Sequence, residues 1–266
     1  MEGGAEPLLG KRIVVTRAPE QAGELTRMLE QMGAEVILLP AVAFEAPDDT
    51  RELDRALREF ARFDWVLFTS QNAVRFTALR LKQLSVPAAA QRTAAVGPVT
   101  AEAAKQEGFH VDFVAAGHTA HSLASELGGS MLGRRVFIPR SDRSDPELVK
   151  ALRDHGAQAT DAIAYRTVAP AAPDPAALNR VRGGDFDVAI FSSPSAFQNA
   201  AGFLGAGTLV SLADRVRYAA IGPTTAKAMR DAGVRVHIEA EEASSAGLVE
   251  AVVKYFQGHP APARRS

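Results

Sequence analysis

The chain contains no cysteine among its 266 residues. Disulfide bonds, thiol nucleophiles and thiolate metal sites are therefore excluded, and the composition fits a reducing compartment. The sequence also lacks an apolar run of the roughly 18 residues that a membrane helix needs. Its first residues include glutamates in place of the apolar segment of a signal peptide. We therefore expect a cytoplasmic protein that does not bind a membrane, with residues 1–9 as a solvated extension.

A strong net charge is absent as well. The 30 lysines and arginines balance the 31 aspartates and glutamates, which leaves a formal charge of -1. No general field attracts the protein to nucleic acid or to an anionic surface. We expect no nucleic-acid partner, and any anion-binding site must be local.

The motifs of common cofactor sites are missing too. The sequence contains neither GxGxxG nor GxxxxGK[ST], which argues against a dinucleotide or a P-loop nucleotide, and it contains no GxSxG hydrolase motif. His118 and His121 have the i, i+3 spacing of a metal-binding pair, but no carboxylate or third histidine accompanies them at ligand spacing. We therefore expect no metal and no other cofactor.

What the sequence does contain is an internal repeat. KRIVVTR at 11–17 matches RRVFIPR at 134–140, and FDWVLFTS at 63–70 matches FDVAIFSS at 186–193 with the same spacing along the chain. A third motif, AVGPVTA, begins at residue 95 and returns as AIGPTTA at residue 220. Matches that keep their order and spacing indicate a duplication.

Each copy alternates short β-rich runs with helical patterns. Strands that are apolar enough to be buried on both faces, and that alternate with helices, are typical of parallel sheets covered by helices. The sequence therefore predicts an α/β protein of two similar doubly wound parallel-sheet lobes. In such sheets ligands bind beyond the carboxyl ends of the strands, and two similar lobes would offer the cleft between them as the active site.

Hydroxyl and amide side chains follow the predicted strands where helices begin. Helix N-termini attract carboxylates and phosphates through free backbone N–H groups and the helix dipole. The alternative is that these residues only cap helices, a role worth ~1 kcal/mol each. Their occurrence in both copies favours a substrate-binding site made of Thr69, Ser70, Gln71, Asn72, Thr100, Ser192, Ser193, Ser195, Thr224 and Thr225.

Two arginines occupy equivalent positions in the repeat. Arg17 and Arg140 end the first predicted strand of each copy. A guanidinium can bind a carboxylate with two parallel hydrogen bonds, so both are candidates for substrate binding. The alternative for each is a solvated charge at the end of a strand.

Tyr165 distinguishes the second copy from the first, where the equivalent residue is Val42. A phenol present in one copy only is a candidate for a catalytic acid. The alternative is a structural tyrosine held by one hydrogen bond. We interpret the other two tyrosines, Tyr218 and Tyr255, as packing residues.

Together these features resemble the uroporphyrinogen-III synthase family of tetrapyrrole biosynthesis, whose members use no cofactor. The resemblance covers nearly the whole chain, in the order VVTR, LPAVAF, FTSQNAV, AVGPVTA, Tyr165-Arg166-Thr167, FSSPSAF, AIGPTTA and SSAGL. It implies that the lobes exchange their first strand and helix. Residues 1–40 with 168–266 would form one lobe and residues 41–167 the other, joined by a two-stranded hinge.

The resemblance also implies a reaction. Members of the family cyclise hydroxymethylbilane, a linear tetrapyrrole with eight carboxylates, and invert its ring D through a spiro intermediate. The strand-end residues and the two arginines would bind the carboxylates, and Tyr165 would assist departure of the terminal hydroxyl. The protein would be a lyase that acts as a monomer. Two alternatives stay open: a two-lobed module that binds a small anion without catalysis, and a transferase that handles sugars or nucleotides.

Overall fold

A computed structural model describes residues 6–88, 92–117, 120–171 and 173–259, without the side chains of residues 120, 121 and 206. The histidine pair considered above, His118 and His121, lies outside these described residues and side chains. The chain forms two compact units. Unit 1 comprises Met1–Ala43 and Val168–Ser266, and unit 2 comprises Phe44–Thr167.

The helices and strands follow one another in near-regular alternation. The chain begins in unit 1 with β1 (Arg12–Val15), α1 (Pro19–Gln31) and β2 (Glu35–Leu38). It continues with β3 (Ala43–Glu45), α2 (Arg51–Arg58), β4 (Trp65–Phe68), α3 (Gln71–Gln83), β5 (Arg92–Val96), α4 (Gly97–Gln106), β6 (Val111–Ala115), α5 (Ala120–Leu127), β7 (Arg135–Ser141), α6 (Glu147–Asp154) and β8 (Gln158–Val168). It returns to unit 1 with α7 (Pro175–Arg182), β9 (Val188–Phe191), α8 (Pro194–Leu204), α9 (Ala206–Leu212), β10 (Arg217–Ala220), α10 (Pro223–Asp231), β11 (Ile238–Glu239) and α11 (Ser245–Gly258).

Each unit contains one sheet. In unit 1 the strand order is β11-β10-β9-β1-β2, and every neighbouring pair is parallel. In unit 2 the order is β3-β8-β7-β4-β5-β6, and the five strands from β8 to β6 are parallel. The predicted α/β fold with parallel sheets is confirmed. Apart from β3, the two sheets have the same strand order once repeated strands are matched.

Both faces of the unit 2 sheet are buried, which explains its continuous apolar strands. Along β4, Val66 and Phe68 belong to one hydrophobic cluster, whereas Trp65 and Leu67 belong to another. Successive side chains of a strand point to opposite faces, so helices must cover both sides. The run WVLF is fully buried for this reason.

One hydrophobic cluster of unit 1 lies between its sheet and the helices α1 and α11. Ile13 and Val15 of β1 pack with the buried face of α1, formed by Ala22, Leu25 and Leu29. The other helix is α11, whose buried residues Leu248, Val249 and Val252 have the 3.6-residue period of an amphipathic helix. These contacts fix the carboxyl end of β1 beside the start of α11.

The expectation that residues 1–9 are solvated is wrong at Leu8. Its side chain is fully buried in the unit 1 core, and its N–H donates to the carbonyl of Met32 over 2.9 Å. The residue after Met32, Gly33, has a φ of +89°, and a Cβ there would approach the Glu6 Cβ to 2.9 Å. The segment before β1 therefore packs closely against the end of α1. No helix among the described residues is long and apolar enough to cross a membrane.

Candidate functional site

Arg17 lies just beyond the carboxyl end of β1 in unit 1. Because β1 and β9 are parallel neighbours, their carboxyl ends meet, and the Arg17 Nε donates to the Ser192 Oγ over 2.9 Å. The Arg17 Nη1 donates to the Oγ of Ser245, the first residue of α11, also over 2.9 Å. Ser245 in turn donates to the Oε2 of Glu24 on α1. The end of β9 and the start of α11 thus contact one guanidinium, and α1 contacts it through Ser245.

Burial changes the electrostatics of this arginine. Removal from solvent lowers the pKa of Arg17, and the nearby Glu24 carboxylate opposes this effect. The group nevertheless stays charged, since an arginine pKa lies far above neutrality. Its hydrogen bonds with the described residues go to two neutral hydroxyls. A desolvated cation of this kind retains N–H groups for an anionic ligand.

Two equivalent helices are capped by their own serines. Ser70 precedes α3 and accepts a hydrogen bond from the N–H of Ala73 over 3.1 Å. Ser193 precedes α8 and accepts one from the N–H of Ala196 over 3.0 Å. Both hydroxyls therefore cap a helix, and their role in substrate binding stays a prediction. At each helix start the cap thus satisfies one of the backbone N–H groups that have no partner within the helix.

Two further helices begin without a side-chain cap. Helix α4 follows Val96, and α10 follows Gly222, and neither residue places a side-chain acceptor on the helix. Thr100 and Thr225 in their first turns are buried, whereas Thr224 is exposed. Pro98 and Pro223 in these first turns have no N–H group, so only the other residues of each turn can donate backbone hydrogen bonds to an anion.

The remaining predicted residues lie between β4 and α3 or in the first turns of α3 and α8. Thr69, Gln71 and Ser195 are half-buried, and Asn72 is buried. Asn72 and Ser195 both interact with other parts of the protein. All four sit within two residues of a serine that caps the adjacent helix.

Tyr165 of β8 is packed among aromatic rings in unit 2. Its ring meets the edge of Phe44 with centroids 5.8 Å apart and stacks on Phe76 at 5.7 Å. Its side chain is 7% exposed, and its hydroxyl lies 3.0 Å from the Ser70 Oγ. The structure therefore brings together two predicted site residues, Ser70 and Tyr165, at the carboxyl end of this sheet.

Burial raises the pKa of the Tyr165 hydroxyl, and the negative charge of Asp142 adds to the rise. Hydrogen bonds with Ser70 and Ser141 act in the opposite direction and lower that pKa. The net direction is upward, so the phenol is protonated at neutral pH. It can donate a hydrogen bond or a proton, but it does not ionise readily.

Sequence reasoning missed Ser141 and Asp142, which lie at the carboxyl end of β7. Ser141 is paired with Tyr165 in the sheet, and its Oγ donates to the Asp142 Oδ1 over 3.0 Å. The Asp142 N–H donates to the Tyr165 carbonyl, and its side chain accepts from the N–H of Thr167. Their position at the end of a strand that occurs in both copies of the repeat is the sequence signal by which they could have been identified.

Arg140 does not have the environment of Arg17. Strand β7 runs one residue beyond it, to Ser141, and its Nε donates to the Oδ2 of Asp161 on β8 over 2.7 Å. Its Nη1 donates to the Ser141 carbonyl. The two arginines, equivalent in the repeat, thus differ: one is held by serines and the other is paired with a carboxylate.

Two cavities lie elsewhere in the described structure. One of about 540 Å³ runs along α11 and includes Glu242, Glu250 and Tyr255 in its wall. The other, of about 420 Å³, is lined by Asp49, Leu53 and Ile163 among others. Neither wall contains a predicted site residue. In the described parts of the chain no three His, Asp or Glu side chains are grouped to hold a metal ion.

The fold and these surfaces define a class: an α/β protein of two parallel-sheet units whose strand ends present helix N-termini, hydroxyls and one desolvated arginine. Such surfaces suit the binding of carboxylates. The family model described as Uroporphyrinogen-III synthase HemD matches residues 23–250. The chain belongs to this family, and the resemblance inferred from its motifs is confirmed.

Relatives of known name agree with this assignment. A uroporphyrinogen-III synthase of Synechococcus elongatus is 29% identical over 259 residues, which cover 94% of this chain and 97% of the relative. A putative uroporphyrinogen-III synthase of Methanothermobacter thermautotrophicus is 30% identical over 230 residues, covering 84% of this chain and 90% of the relative.

Two solved structures share the fold. A mutant uroporphyrinogen III synthase from the extremely thermophilic bacterium Thermus thermophilus has a TM-score of 0.61 and 22% identity, with 94% of this chain and all of that chain covered. A uroporphyrinogen-III synthetase from Helicobacter pylori has a TM-score of 0.62 and 18% identity, with 92% of this chain and 99% of that chain covered. At these identities the likeness supports the fold.

Proposed function

We propose that this protein is a uroporphyrinogen-III synthase, a lyase that cyclises hydroxymethylbilane and inverts its ring D. The observation that carries the proposal is the family match over residues 23–250. The strand-end surfaces add a chemical reason, because the substrate carries eight carboxylates and these surfaces offer groups that bind carboxylates. The protein acts in tetrapyrrole biosynthesis and requires no cofactor.

Substrate binding is distributed over both units in this proposal. The N-termini of α3 and α4 in unit 2, and of α8 and α10 in unit 1, hold acetate and propionate side chains through backbone N–H groups. Arg17 binds one further carboxylate in unit 1. What supports this distribution is the equivalence of the helix starts, which Ser70 and Ser193 cap in the same way.

The proposed architecture follows from the duplication. Residues 1–40 with 168–266 form one lobe and residues 41–167 the other, and β3 with β8 forms the hinge. The common strand order of the two sheets supports a duplication, and the position of β1 beside β9 supports an exchange of the first strand and helix. The exchange places Arg17 and Ser192, which belong to different copies, at one sheet edge.

The chemistry needs little from the protein beyond orientation and one proton donor. Loss of the terminal hydroxyl from ring A gives an azafulvene, which the substituted carbon of ring D attacks to form the spiro intermediate. This intermediate fragments and closes again with ring D inverted, and the pyrroles provide the electrons. Holding the two ends of the chain together accounts for most of the catalysis. Tyr165, whose phenol carries its proton at neutral pH, donates to the departing hydroxyl.

Consumption of the substrate tests whether this protein catalyses or only binds. Hydroxymethylbilane is generated in situ by its synthase, and its disappearance is followed with and without this protein. An enzyme accelerates the loss in proportion to its concentration. A binding module leaves the rate unchanged or slows it by sequestering the substrate, and that result would contradict the proposal.

A further inference from the structure

Two adjacent serines at the start of α11 have different partners. Ser244 caps the helix, since its Oγ accepts the N–H of Gly247 over 3.0 Å. Ser245, which is 6% exposed, takes no part in the cap. Its Oγ lies 2.9 Å from both the Arg17 Nη1 and the Glu24 Oε2. One serine therefore stabilises the helix, and the other is bonded to a cation and an anion.

The direction of these hydrogen bonds is fixed by chemistry. A serine hydroxyl has one hydrogen, and a guanidinium has only donors. Arg17 must therefore donate to Ser245, and the Ser245 hydrogen must go to Glu24. The carboxylate thus turns the lone pairs of the hydroxyl toward the arginine.

The hydrogen bonds of Arg17 also show which of its N–H groups have no assigned partner. The Nε donates to Ser192 and one Nη1 hydrogen donates to Ser245. The contacts of the described residues leave one Nη1 hydrogen and both Nη2 hydrogens unassigned, and such N–H groups can donate to a carboxylate. The side chains that hold the guanidinium are neutral hydroxyls. Its positive charge is therefore not neutralised by these partners.

We propose that Ser245 is a positioning residue, which, oriented by Glu24, holds the Arg17 guanidinium ready for one carboxylate of the tetrapyrrole. This inference rests on the proposed function for the identity of the substrate. It assigns to Ser245 an effect on substrate affinity and none on the chemical step, because the serine acts through Arg17 and does not meet the reacting carbons.

The test compares two neighbouring variants. In Ser245→Ala the KM for hydroxymethylbilane should rise roughly threefold to tenfold, the effect of one lost hydrogen bond, with kcat nearly unchanged. Ser245→Thr, which keeps the hydroxyl, should restore the KM. In the control Ser244→Ala the melting temperature should fall because the cap is lost, while KM stays normal. An unchanged KM in Ser245→Ala, or an equal rise in Ser244→Ala, would overturn the proposal.

A binding measurement separates this inference from the proposed function. Uroporphyrin I carries eight carboxylates and undergoes no cyclisation, so its affinity can be measured without turnover. Weaker binding to Ser245→Ala than to wild type and Ser244→Ala would support the role of Ser245 even if the wild type did not consume hydroxymethylbilane. Failure to consume substrate would then contradict only the proposed function. Identical behaviour of all three proteins toward uroporphyrin I would count against Ser245.

Discussion

The role of the Tyr165 hydroxyl can be tested separately from that of its ring. Phe44 and Phe76 contact the ring, and Ser70 contacts the hydroxyl. Tyr165→Phe keeps the aromatic packing and removes the donor. We expect a large fall in kcat with little change in the free energy of unfolding, measured by single-turnover kinetics and urea denaturation. A normal rate would remove Tyr165 as the proton donor.

Tyr218 offers a matched control for that substitution. It is fully buried in unit 1, and its hydroxyl donates to the Leu209 carbonyl over 2.8 Å. Tyr218→Phe leaves this carbonyl unpaired, so we expect a loss of about 1–3 kcal/mol of stability with normal turnover. The two tyrosines should thus show opposite patterns of activity and stability.

The cap residue Ser193 tests whether binding is distributed. Ser193→Ala removes a side-chain acceptor from α8 but leaves its backbone N–H groups in place. We expect a loss of about 1 kcal/mol of stability and only a moderate fall in turnover, measured on the same protein samples. Complete inactivity with a folded protein would contradict a site composed of many backbone donors.

Arg17 and Arg140, which are equivalent in the repeat, show that the sequence does not predict the partner of each side chain. The repeat drew attention to Arg17, which donates a hydrogen bond to Ser192. It gave Arg140 the same expected role, but Asp161 lies on the neighbouring strand and pairs with it. A repeat reveals equivalent positions along a chain, whereas the partner of a charged side chain depends on which strands become neighbours.

Among the helices, the start of α11 depends on a close approach of two backbone segments. A Cβ added at Gly247 would lie 2.3 Å from the Glu242 carbonyl oxygen, which is shorter than a van der Waals contact allows. Gly247→Ala must therefore displace the start of the helix that carries Ser245. We expect both a lower melting temperature and a higher KM.

A second helical glycine provides the control for Gly247. A Cβ at Gly23, an exposed position of α1, would meet nothing within 4 Å. Gly23→Ala should therefore stabilise the protein by roughly 0.5–1 kcal/mol, because alanine loses less backbone entropy in a helix. Equal effects of the two substitutions on melting temperature would contradict the close approach at Gly247.

An ion pair joins α2 to α3 in unit 2. Arg80 donates from Nε and Nη2 to the two carboxylate oxygens of Asp54, both over 2.7 Å. The hydrogen bonds from Arg80 lower the pKa of Asp54 below its ordinary value. Stability from this pair is therefore present above the unfolded-state pKa of ~4 and is lost as pH falls through the lower folded-state pKa.

The pH dependence of unfolding checks this link. Asp54→Asn should cost on the order of 1 kcal/mol of stability at pH 7. The difference from wild type should shrink in strongly acidic solution, where both proteins lack the charge. A difference in unfolding free energy that stays constant as the pH is lowered would show that the charge of Asp54 does not contribute.

The sequence predicts the buried strand β4 better than it predicts the segment before β1. The apolar run at β4 indicated a strand buried on both faces, and Trp65 and Val66 indeed belong to clusters on opposite faces. Leu8 could not be placed, because a leucine next to glycine, proline and charged residues shows no periodicity. Its burial depends on the close approach that Gly33 permits.

At the scale of the whole molecule, the two units share a sheet architecture but differ in the side chains at their strand ends. The two sheets share their strand order. Tyr165 with Ser141 and Asp142 is found in unit 2, whereas the desolvated Arg17 with Ser192 and Ser245 is found in unit 1. In the proposed mechanism the proton donor therefore belongs to unit 2 and the charged carboxylate-binding site to unit 1.

The isomer composition of the product distinguishes inversion of ring D from simple closure of the substrate. Hydroxymethylbilane formed in situ is allowed to close in the presence of this protein, and the products are oxidised and separated as type I and type III uroporphyrin. We expect type III to replace type I, since only an enzyme that controls the orientation of ring D inverts it. Persistent type I with folded protein and substrate present would contradict the proposed activity.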